Sequence, residues 1–182
     1  MATITLVPEN LDELDQQQCD VLVLSFFSDE KPLKGLNGLA DWRTCGRLSR
    51  MLMRQDVVGN LGEKTLMNTA GRLPHQRIIL WGLGEQSRFD NMAFVRSVEQ
   101  MFRTVRSLKA DSCALCIPGA QRTDDFILER MAILIKEIRL TYDGQVVLMM
   151  GKRQNFKEMQ AKFDLIQEEV GKVVTPRAKG RA

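Results

Sequence analysis

The stretch that decides the fold of this chain is Arg77-Ile-Ile-Leu-Trp-Gly-Leu-Gly-Glu85. Its first residues form a short apolar run, which is typical of a buried β-strand. Gly82 and Gly84 end the run, and a buried strand that stops at closely spaced glycines often leads into a functional loop. Ser87 stands where a dinucleotide-binding fingerprint has its third glycine. A glycine turn is therefore the simpler interpretation, and a phosphate cradle is the alternative.

Composition places the chain among folded globular proteins. Its 182 residues are 44% hydrophobic and 27% charged, which is ordinary globular usage and suits one domain. We expect this domain to span residues 1–171. No apolar run is long enough to cross a bilayer, and the N-terminus lacks the pattern of an export signal, so a cytoplasmic protein without membrane contacts is expected.

A short basic tail accounts for the net charge of +3. Residues 172–182 contain four cations and no acid, and we predict that they are disordered, whereas the body of the chain is close to neutral. The four cations are Lys172, Arg177, Lys179 and Arg181. Because nucleic-acid binding depends on many contacts from Lys and Arg to phosphate, this distribution argues against nucleic acid as a partner.

Short apolar runs alternate with helical patterns along the chain. Strands are predicted at 3–7, 20–27, 65–69, 77–82, 112–117 and 145–150, and helices at 37–54, 90–108, 123–140 and 154–173. Asp90 is placed to cap the second of these helices. Only Ala70 to Gln76 join the third and fourth strands, which is too short for a parallel crossover and predicts an antiparallel hairpin. The whole pattern predicts an α/β fold, a three-layer sandwich in which helices flank a mixed sheet of about six strands.

Cysteine and histidine form no convincing catalytic or metal site in the sequence. Cys113 and Cys116 have the spacing of a redox or zinc motif, but they lie in a predicted strand, where residues three apart point to opposite faces. We therefore expect buried, reduced thiols. His75, the only histidine, lies beside Pro74 in the hairpin and is predicted to be a surface turn residue. No catalytic residue, metal site or cofactor is predicted.

Two of the predicted helices carry regular surface patterns. Arginines at helical spacing would form a basic stripe on the helix at 37–54, which fits a solvated face or, less commonly, a phosphate-binding surface. These arginines are Arg43, Arg47, Arg50 and Arg54. The last helix has a narrow apolar seam that fits docking on its own sheet or, as a candidate interface, contact with another chain. The candidate interface residues are Phe156, Met159, Phe163, Ile166 and Val170.

The helix predicted at 123–140 is apolar on more than one side. A helix of this kind is either deeply buried or part of a subunit interface, because a single apolar stripe is enough to dock a surface helix. Both alternatives agree with the α/β pattern of the chain.

Several segments follow one another in a recognisable order. They are Asp20-Val-Leu-Val-Leu24, the glycine-rich Gly35-Leu-Asn-Gly38, Val58-Gly-Asn-Leu-Gly62, the hairpin and the strand that ends in Gly-Leu-Gly84. In this order, and over residues 4–150, they resemble the N-terminal domain of the leucyl aminopeptidase family. The resemblance implies a macro-domain-like fold.

The same resemblance implies that the peptidase chemistry is missing. In that family the two-zinc site lies in a separate C-terminal domain, after the point where this chain ends. Asn68-Thr-Ala-Gly-Arg-Leu73 echoes the zinc-binding signature of the family but lacks its two acidic residues, which are metal ligands. We interpret the echo as a coincidence.

A macro-domain-like fold implies ADP-ribose binding at the strand ends, yet two loops depart from that pattern. Ser25-Phe-Phe-Ser-Asp29 replaces an Asn-rich turn, and Pro118-Gly-Ala-Gln-Arg122 is not a glycine-rich phosphate loop. The leading hypothesis is a non-catalytic relative that acts through contacts with a second copy of itself or with a separate protein.

Two alternatives stay open beside this hypothesis. The first is a module that binds a nucleotide or another phosphorylated small ligand, with loops 28–38, 82–88 and 118–123 forming the site. Its candidate residues are Gly35, Asn37, Gly38, Gly82, Gly84 and Ser87. The second and weaker alternative is DNA binding through the arginine stripe and the tail.

Overall fold

The computed structural model describes residues 2–120, 124–151 and 156–174, with the backbone alone at 124 and 125. Most of the predicted tail, the end of the loop predicted at 118–123 and the first residues of two predicted helices lie outside these ranges. Within them, none of the helices combines the length and the hydropathy that crossing a bilayer requires.

Strands and helices alternate along the described part of the chain. The strands are β1 (Thr3–Val7), β2 (Val21–Phe26), β3 (Lys64–Asn68), β4 (Arg77–Gly82), β5 (Ser112–Leu115) and β6 (Gln145–Met149). The helices are α1 (Leu11–Gln16), α2 (Gly35–Arg43), α3 (Arg47–Met53), α4 (Asn91–Ser107), α5 (Asp124–Thr141) and α6 (Phe156–Val173). Each predicted strand is present. Lys172, which the sequence assigns to the tail, lies in the last turn of α6.

The strands form one mixed sheet in the order β1-β6-β5-β2-β4-β3. Five strands are parallel, and β3 pairs with β4 in the antiparallel hairpin that the short connection predicts. The structure therefore confirms the mixed six-stranded sheet. It also fixes an arrangement in which the carboxyl ends of β2, β4 and β5 lie side by side at one edge.

Helices cover both faces of the sheet. Val23 and Trp81 pack with α4, α5 and α6 on one face, whereas Leu22 and Leu80 pack with α1, α2 and α3 on the other. Both faces of β2 and β4 are buried, which is why these strands read as continuous apolar runs in the sequence. The three-layer sandwich is confirmed.

The two apolar helices near the C-terminus pack on the domain itself. α5 lies between α4 and α6 and buries Met131, Leu134, Ile135 and Ile138. In α6 only Phe163 is fully buried, and the other four candidate interface residues, Phe156, Met159, Ile166 and Val170, are half-buried against the same core. The seam therefore docks on its own domain. Contact with another chain through it stays a prediction.

The single helix predicted at 37–54 is wrong, because the chain forms α2 and α3 with a break between them. Cys45 and Gly46 both have positive φ, at 55° and 73°, and left-handed residues end a right-handed helix. Asp41 then caps the second helix, since its Oδ1 accepts hydrogen bonds from the backbone amides of Leu48 at 2.8 Å and Ser49 at 3.1 Å.

Two further expectations are corrected by the structure. The short helix α1 was not predicted, and it forms because Asn10 caps it and Leu14 inserts into the core. His75 lies in the hairpin turn, as expected, but it is not a surface residue, since it is only 1% exposed. By contrast, the predicted cap of α4 is confirmed, because Asp90 accepts a hydrogen bond from the amide of Ala93 at 2.7 Å.

Candidate functional site

A cleft of about 230 Å³ opens where β2, β4 and β5 end. Its wall combines apolar side chains, among them Phe27, Leu83 and Ile117, with polar groups that come from four separate segments. The polar side chains are Glu9, Ser25, Glu30, Lys34, Asn37 and Cys116. In open α/β sheets this edge is the usual place for a ligand, because the loops that follow parallel strands converge there.

Glu9 enters the cleft from the loop between β1 and α1 and lies at the first turn of α2. Its carboxylate accepts a hydrogen bond from the backbone amide of Leu36. Gly35 makes room for it, because a Cβ at that position would lie 2.6 Å from Oε1 of Glu9. Gly35 also has φ of 53°, which favours glycine independently. The glycine-rich segment of the sequence therefore accommodates a carboxylate of the same chain.

Cys116 faces the same carboxylate. Its Sγ lies 3.4 Å from Oε2 of Glu9 and 2.7 Å from the carbonyl oxygen of Met149. Burial raises the pKa of the Cys116 thiol well above its usual range, and the nearby carboxylate of Glu9 raises it further. Cys116 is therefore a neutral thiol at physiological pH. Cys113 packs on the opposite face of the sheet, as the strand interpretation predicts.

Burial also raises the pKa of the Glu9 carboxyl above its usual range, although hydrogen bonds from Cys116 and from the Leu36 amide partly offset this effect. The site therefore contains a carboxyl group whose proton is held more tightly than that of an exposed glutamate. Lys34 supplies a positive charge at the N-cap of α2, and Glu30 supplies a second carboxyl group to the rim.

The candidate ligand residues of the sequence divide into two groups. Gly35 and Asn37 line the cleft, and the amide nitrogen of Asn37 donates to the carbonyl oxygen of Ser25 at 2.8 Å, which ties α2 to the end of β2. Gly38 faces away from the cleft, into a surface groove beside Trp42. Ser87 is exposed in a 3₁₀ turn at Gln86–Arg88 and is not part of the wall.

Gly82 is the last residue of β4, Gly84 follows two residues later, and both contact the loop before β3. A Cβ on Gly82 would lie 2.1 Å from the carbonyl oxygen of Asn60, so the loop before β3 crosses the strand in direct backbone contact. The amides of Gly82 and Gly84 donate to the carbonyl oxygens of Glu63 and Gly59, each at 2.8 Å. Both amides are therefore used within the chain, and the glycine turn is the interpretation that these contacts support.

Arg130 is a residue of the site that the sequence did not reveal. It is 2% exposed, and its guanidinium donates to the carbonyl oxygens of Pro118, Gly119 and Phe89. Three phenylalanine rings surround it at 4.4 to 5.1 Å, namely Phe89, Phe94 and Phe126. Because Gly119 lines the cleft, Arg130 fixes one rim of it from behind. The sequence signal for its burial was its spacing of four residues from Leu134, which places Arg130 on the same face of the apolar helix.

The arginine stripe is not continuous, because the break before α3 divides it between two helices. Arg43 forms an ion pair with Asp15. Arg47 donates to the carbonyl oxygen of Asn68 at 3.2 Å, and Arg50 donates to that of Cys45 at 2.7 Å. Arg54 is exposed just after α3. These contacts fit structural arginines, and a nucleic-acid site on them stays a prediction.

In the described ranges, no three side chains of His, Cys, Asp or Glu converge in a way that could hold a metal ion. In the cleft, the thiol of Cys116 and the carboxylate of Glu9 lie 3.4 Å apart, at hydrogen-bond distance.

Comparison with known proteins identifies the domain. The model of the cytosol aminopeptidase family, N-terminal domain, matches residues 23–142. A probable cytosol aminopeptidase of Alkaliphilus metalliredigens is 22% identical over 196 residues, covering 91% of this chain and 39% of the relative. The chain thus spans well under half the length of this relative.

Solved structures show the same fold. A mutant of tomato leucine aminopeptidase superposes with a TM-score of 0.61 at 18% identity, covering 95% of this chain and 37% of the other. The Oceanobacillus iheyensis macrodomain with ADP superposes with a TM-score of 0.64 at 14% identity, covering 86% of this chain and 88% of the other. The family match extends over more than half of the sequence and confirms the resemblance inferred from the segments. The chain therefore belongs to the cytosol aminopeptidase family, as a relative of its N-terminal, macro-domain-like domain.

Proposed function

We propose that this protein is a non-catalytic binding module that holds a nucleotide or another phosphorylated small ligand in the cleft at the ends of β2, β4 and β5. The observation that carries the proposal is the cleft itself, which is concave, combines apolar and polar walls, and lies where ligands of open α/β sheets bind. The fold shared with a macrodomain that was solved with ADP supports the same class of ligand.

The size and lining of the cleft limit how much of a ligand it can enclose. About 230 Å³ is smaller than the roughly 300–1,000 Å³ of pockets that bury drug-sized ligands, so one group of a nucleotide would be enclosed and the rest would lie on the rim. Phe27 and Leu83 offer an apolar wall for a base or sugar, and Lys34 offers a cation for a phosphate.

The chemistry of the cleft supports binding rather than catalysis. Cys116 is the thiol of the wall, and its raised pKa keeps it in the unreactive, protonated form. With added zinc or manganese, we expect the purified protein to leave leucyl substrates intact in a chromogenic peptidase assay. Hydrolysis that scales with protein concentration and survives repurification would contradict the non-catalytic role.

Ligand binding is tested by thermal shift and calorimetry with ADP-ribose, ADP and AMP. A ligand present at about 100 times its Kd should stabilise the fold by about 2.7 kcal/mol. Ala120→Trp should fill the cleft and abolish the shift, because Ala120 lines its wall. The matched control is Ala161→Trp on the exposed side of α6, which should bind as the parent does. Absence of a shift with all three nucleotides would overturn the proposal.

Self-association is a second candidate, and one observation favours a particular surface for it. Trp42 is 64% exposed and Met53 is 74% exposed, and both flank the groove that Pro32 and Leu33 line. Large apolar side chains grouped in this way are typical of interaction surfaces. The group lies on α2 and α3, on the opposite face of the sheet from the seam of α6.

Light scattering coupled to size-exclusion chromatography tests this second candidate. We expect a dimer at high protein concentration that dissociates when Trp42 and Met53 are both replaced by serine. Replacing Leu165 and Val173, which are exposed on α6, by serine is the control and should leave the dimer intact. A monomer at every concentration would remove this candidate.

A further inference from the structure

In the cleft, the carboxylate of Glu9 occupies the place at the start of α2 where the phosphate of a ligand would bind. The amide of Leu36 lies in the first turn of α2, where helices leave backbone amides free and where anions bind well. Here the carboxylate of Glu9 already accepts from that amide. Lys34, the N-cap residue, makes no side-chain capping bond, so Glu9 takes over that role from another part of the chain.

We propose that Glu9 sets the charge selectivity of the cleft: its carboxylate is an internal anion, and a phosphorylated ligand gains the α2 amide only when Glu9 is protonated. This inference rests on the proposed function, because it concerns the ligand that the cleft would hold. It identifies Glu9 as a specificity-determining residue and makes binding of an anion depend on pH.

The position of Glu9 is built into the fold from several sides. The backbone amide of Glu9 donates to the carbonyl oxygen of Gly151 at 3.1 Å, which anchors its loop beside the end of β6. Gly35 leaves the space that the carboxylate fills, and the thiol of Cys116 contacts the second oxygen at 3.4 Å. The carboxylate is therefore held in the cleft by three separate segments, and its place does not follow from the helix terminus alone.

The charges around Glu9 decide the direction of the pH effect. Lys34 is the cation of the wall, and Glu9 and Glu30 are its carboxyl groups. The raised pKa of Cys116 keeps its thiol neutral over the physiological range. Two anions cannot share one amide in a partly buried site without strong repulsion. Binding of a phosphate must therefore be accompanied by proton uptake, and the affinity must rise as the pH falls towards the raised pKa of Glu9.

Calorimetric titration with ADP-ribose tests the inference, because the charge of its diphosphate stays constant over the range used. The parent protein should bind several-fold more tightly at about pH 5.5 than at about pH 7.5. Glu9→Gln should bind about tenfold more tightly than the parent at the higher pH, and its affinity should not change with pH. Glu9→Asp, which keeps the charge, should keep the pH dependence.

Two controls separate Glu9 from the other acids. Asp12→Asn removes an exposed charge from α1, outside the cleft, and should behave as the parent does. Glu30→Gln removes the second carboxyl group of the wall, and it should lower the affinity difference between the two pH values by less than Glu9→Gln does. A larger effect of Glu30→Gln would assign the selectivity to Glu30 and overturn the role of Glu9.

The remaining outcomes distinguish the inference from the function on which it rests. If the parent and Glu9→Gln bind ADP-ribose equally at both pH values, Glu9 does not control the cleft, while the proposed function stands. If neither protein binds at either pH, the proposed function fails and the inference fails with it. Should Glu9→Gln not fold, titration of the parent in buffers of different ionisation enthalpy counts the protons taken up. Zero uptake on binding would overturn the inference.

Discussion

Glycine at position 82 is required by a crossing of two backbone segments. A Cβ there would lie 2.1 Å from the carbonyl oxygen of Asn60, and backbone cannot retreat as the end of a flexible side chain can. Gly82, which the sequence offered as part of a phosphate loop, is therefore required by backbone packing.

Gly82→Ala should destabilise the fold by about 3 kcal/mol, since the added methyl group must displace the loop that crosses β4. Gly71→Ala is the matched control. Its φ of 72° also favours glycine, but no atom lies within 4 Å of the added Cβ, so we expect a cost of only about 1 kcal/mol. Urea denaturation measures both. Equal costs at the two sites would show that the crossing is not constrained.

His75 should make the stability depend on pH. Burial lowers its pKa from 6.5 to about 4, so the unfolded chain binds a proton at a pH where the folded chain does not. The contribution is complete above about pH 6.5 and is lost as the pH falls towards 4, by up to about 3 kcal/mol. His75 is the only histidine, so no other imidazole contributes.

Urea denaturation of the parent and of His75→Leu at about pH 7 and about pH 4.5 checks this dependence. Carboxyl groups titrate in both proteins, so the difference between the two proteins isolates the imidazole. We expect the parent to lose about 2 to 3 kcal/mol more than His75→Leu between the two pH values. The same loss in both proteins would contradict the assignment to His75.

At the scale of elements, the junction of α2 and α3 shows where periodicity misleads. Leucines and arginines keep helical spacing through the junction, so the pattern alone predicts one helix. The break depends on the backbone of Cys45 and Gly46 and on a cap from Asp41, which lies in the preceding helix. Sequence rules look for the N-cap directly before the helix, so they miss a cap from a residue that lies seven positions before the amide that it caps.

Asp41→Ala should destabilise the protein by about 1 to 2 kcal/mol, because it leaves the first amides of α3 without an acceptor. The control is Asp56→Ala, which removes an exposed acid just after α3 and should change the stability by less than about 0.5 kcal/mol. Thermal unfolding followed by circular dichroism compares the two. A cost at Asp56 equal to that at Asp41 would point to net charge instead of capping.

At the scale of the whole molecule, the sheet could be predicted from sequence, but the cleft only in part: Gly35 and Asn37 were among its predicted residues, and the side chains that contact them were not. Strand positions, the hairpin between β3 and β4 and the cap at Asp90 depend on neighbours in the sequence, and all three are confirmed. The cleft depends on Glu9, Gly35 and Cys116, which meet only after the chain has folded. Burial of Arg130 depends in the same way on rings and carbonyl groups from distant segments.

The distribution of the four cysteines gives the molecule a built-in reporter of its own unfolding. Cys45 is exposed, and Cys19 and Cys113 are buried. Cys116 is half-buried beside Glu9 and the end of β6, and its raised pKa keeps the thiol in its unreactive form. A thiol reagent should therefore label one group at once and the other three only as the sheet opens. Mass spectrometry after timed labelling would count these groups, and rapid labelling of more than one in the native protein would contradict the arrangement. The slow labelling then measures how often the fold opens, without any introduced probe.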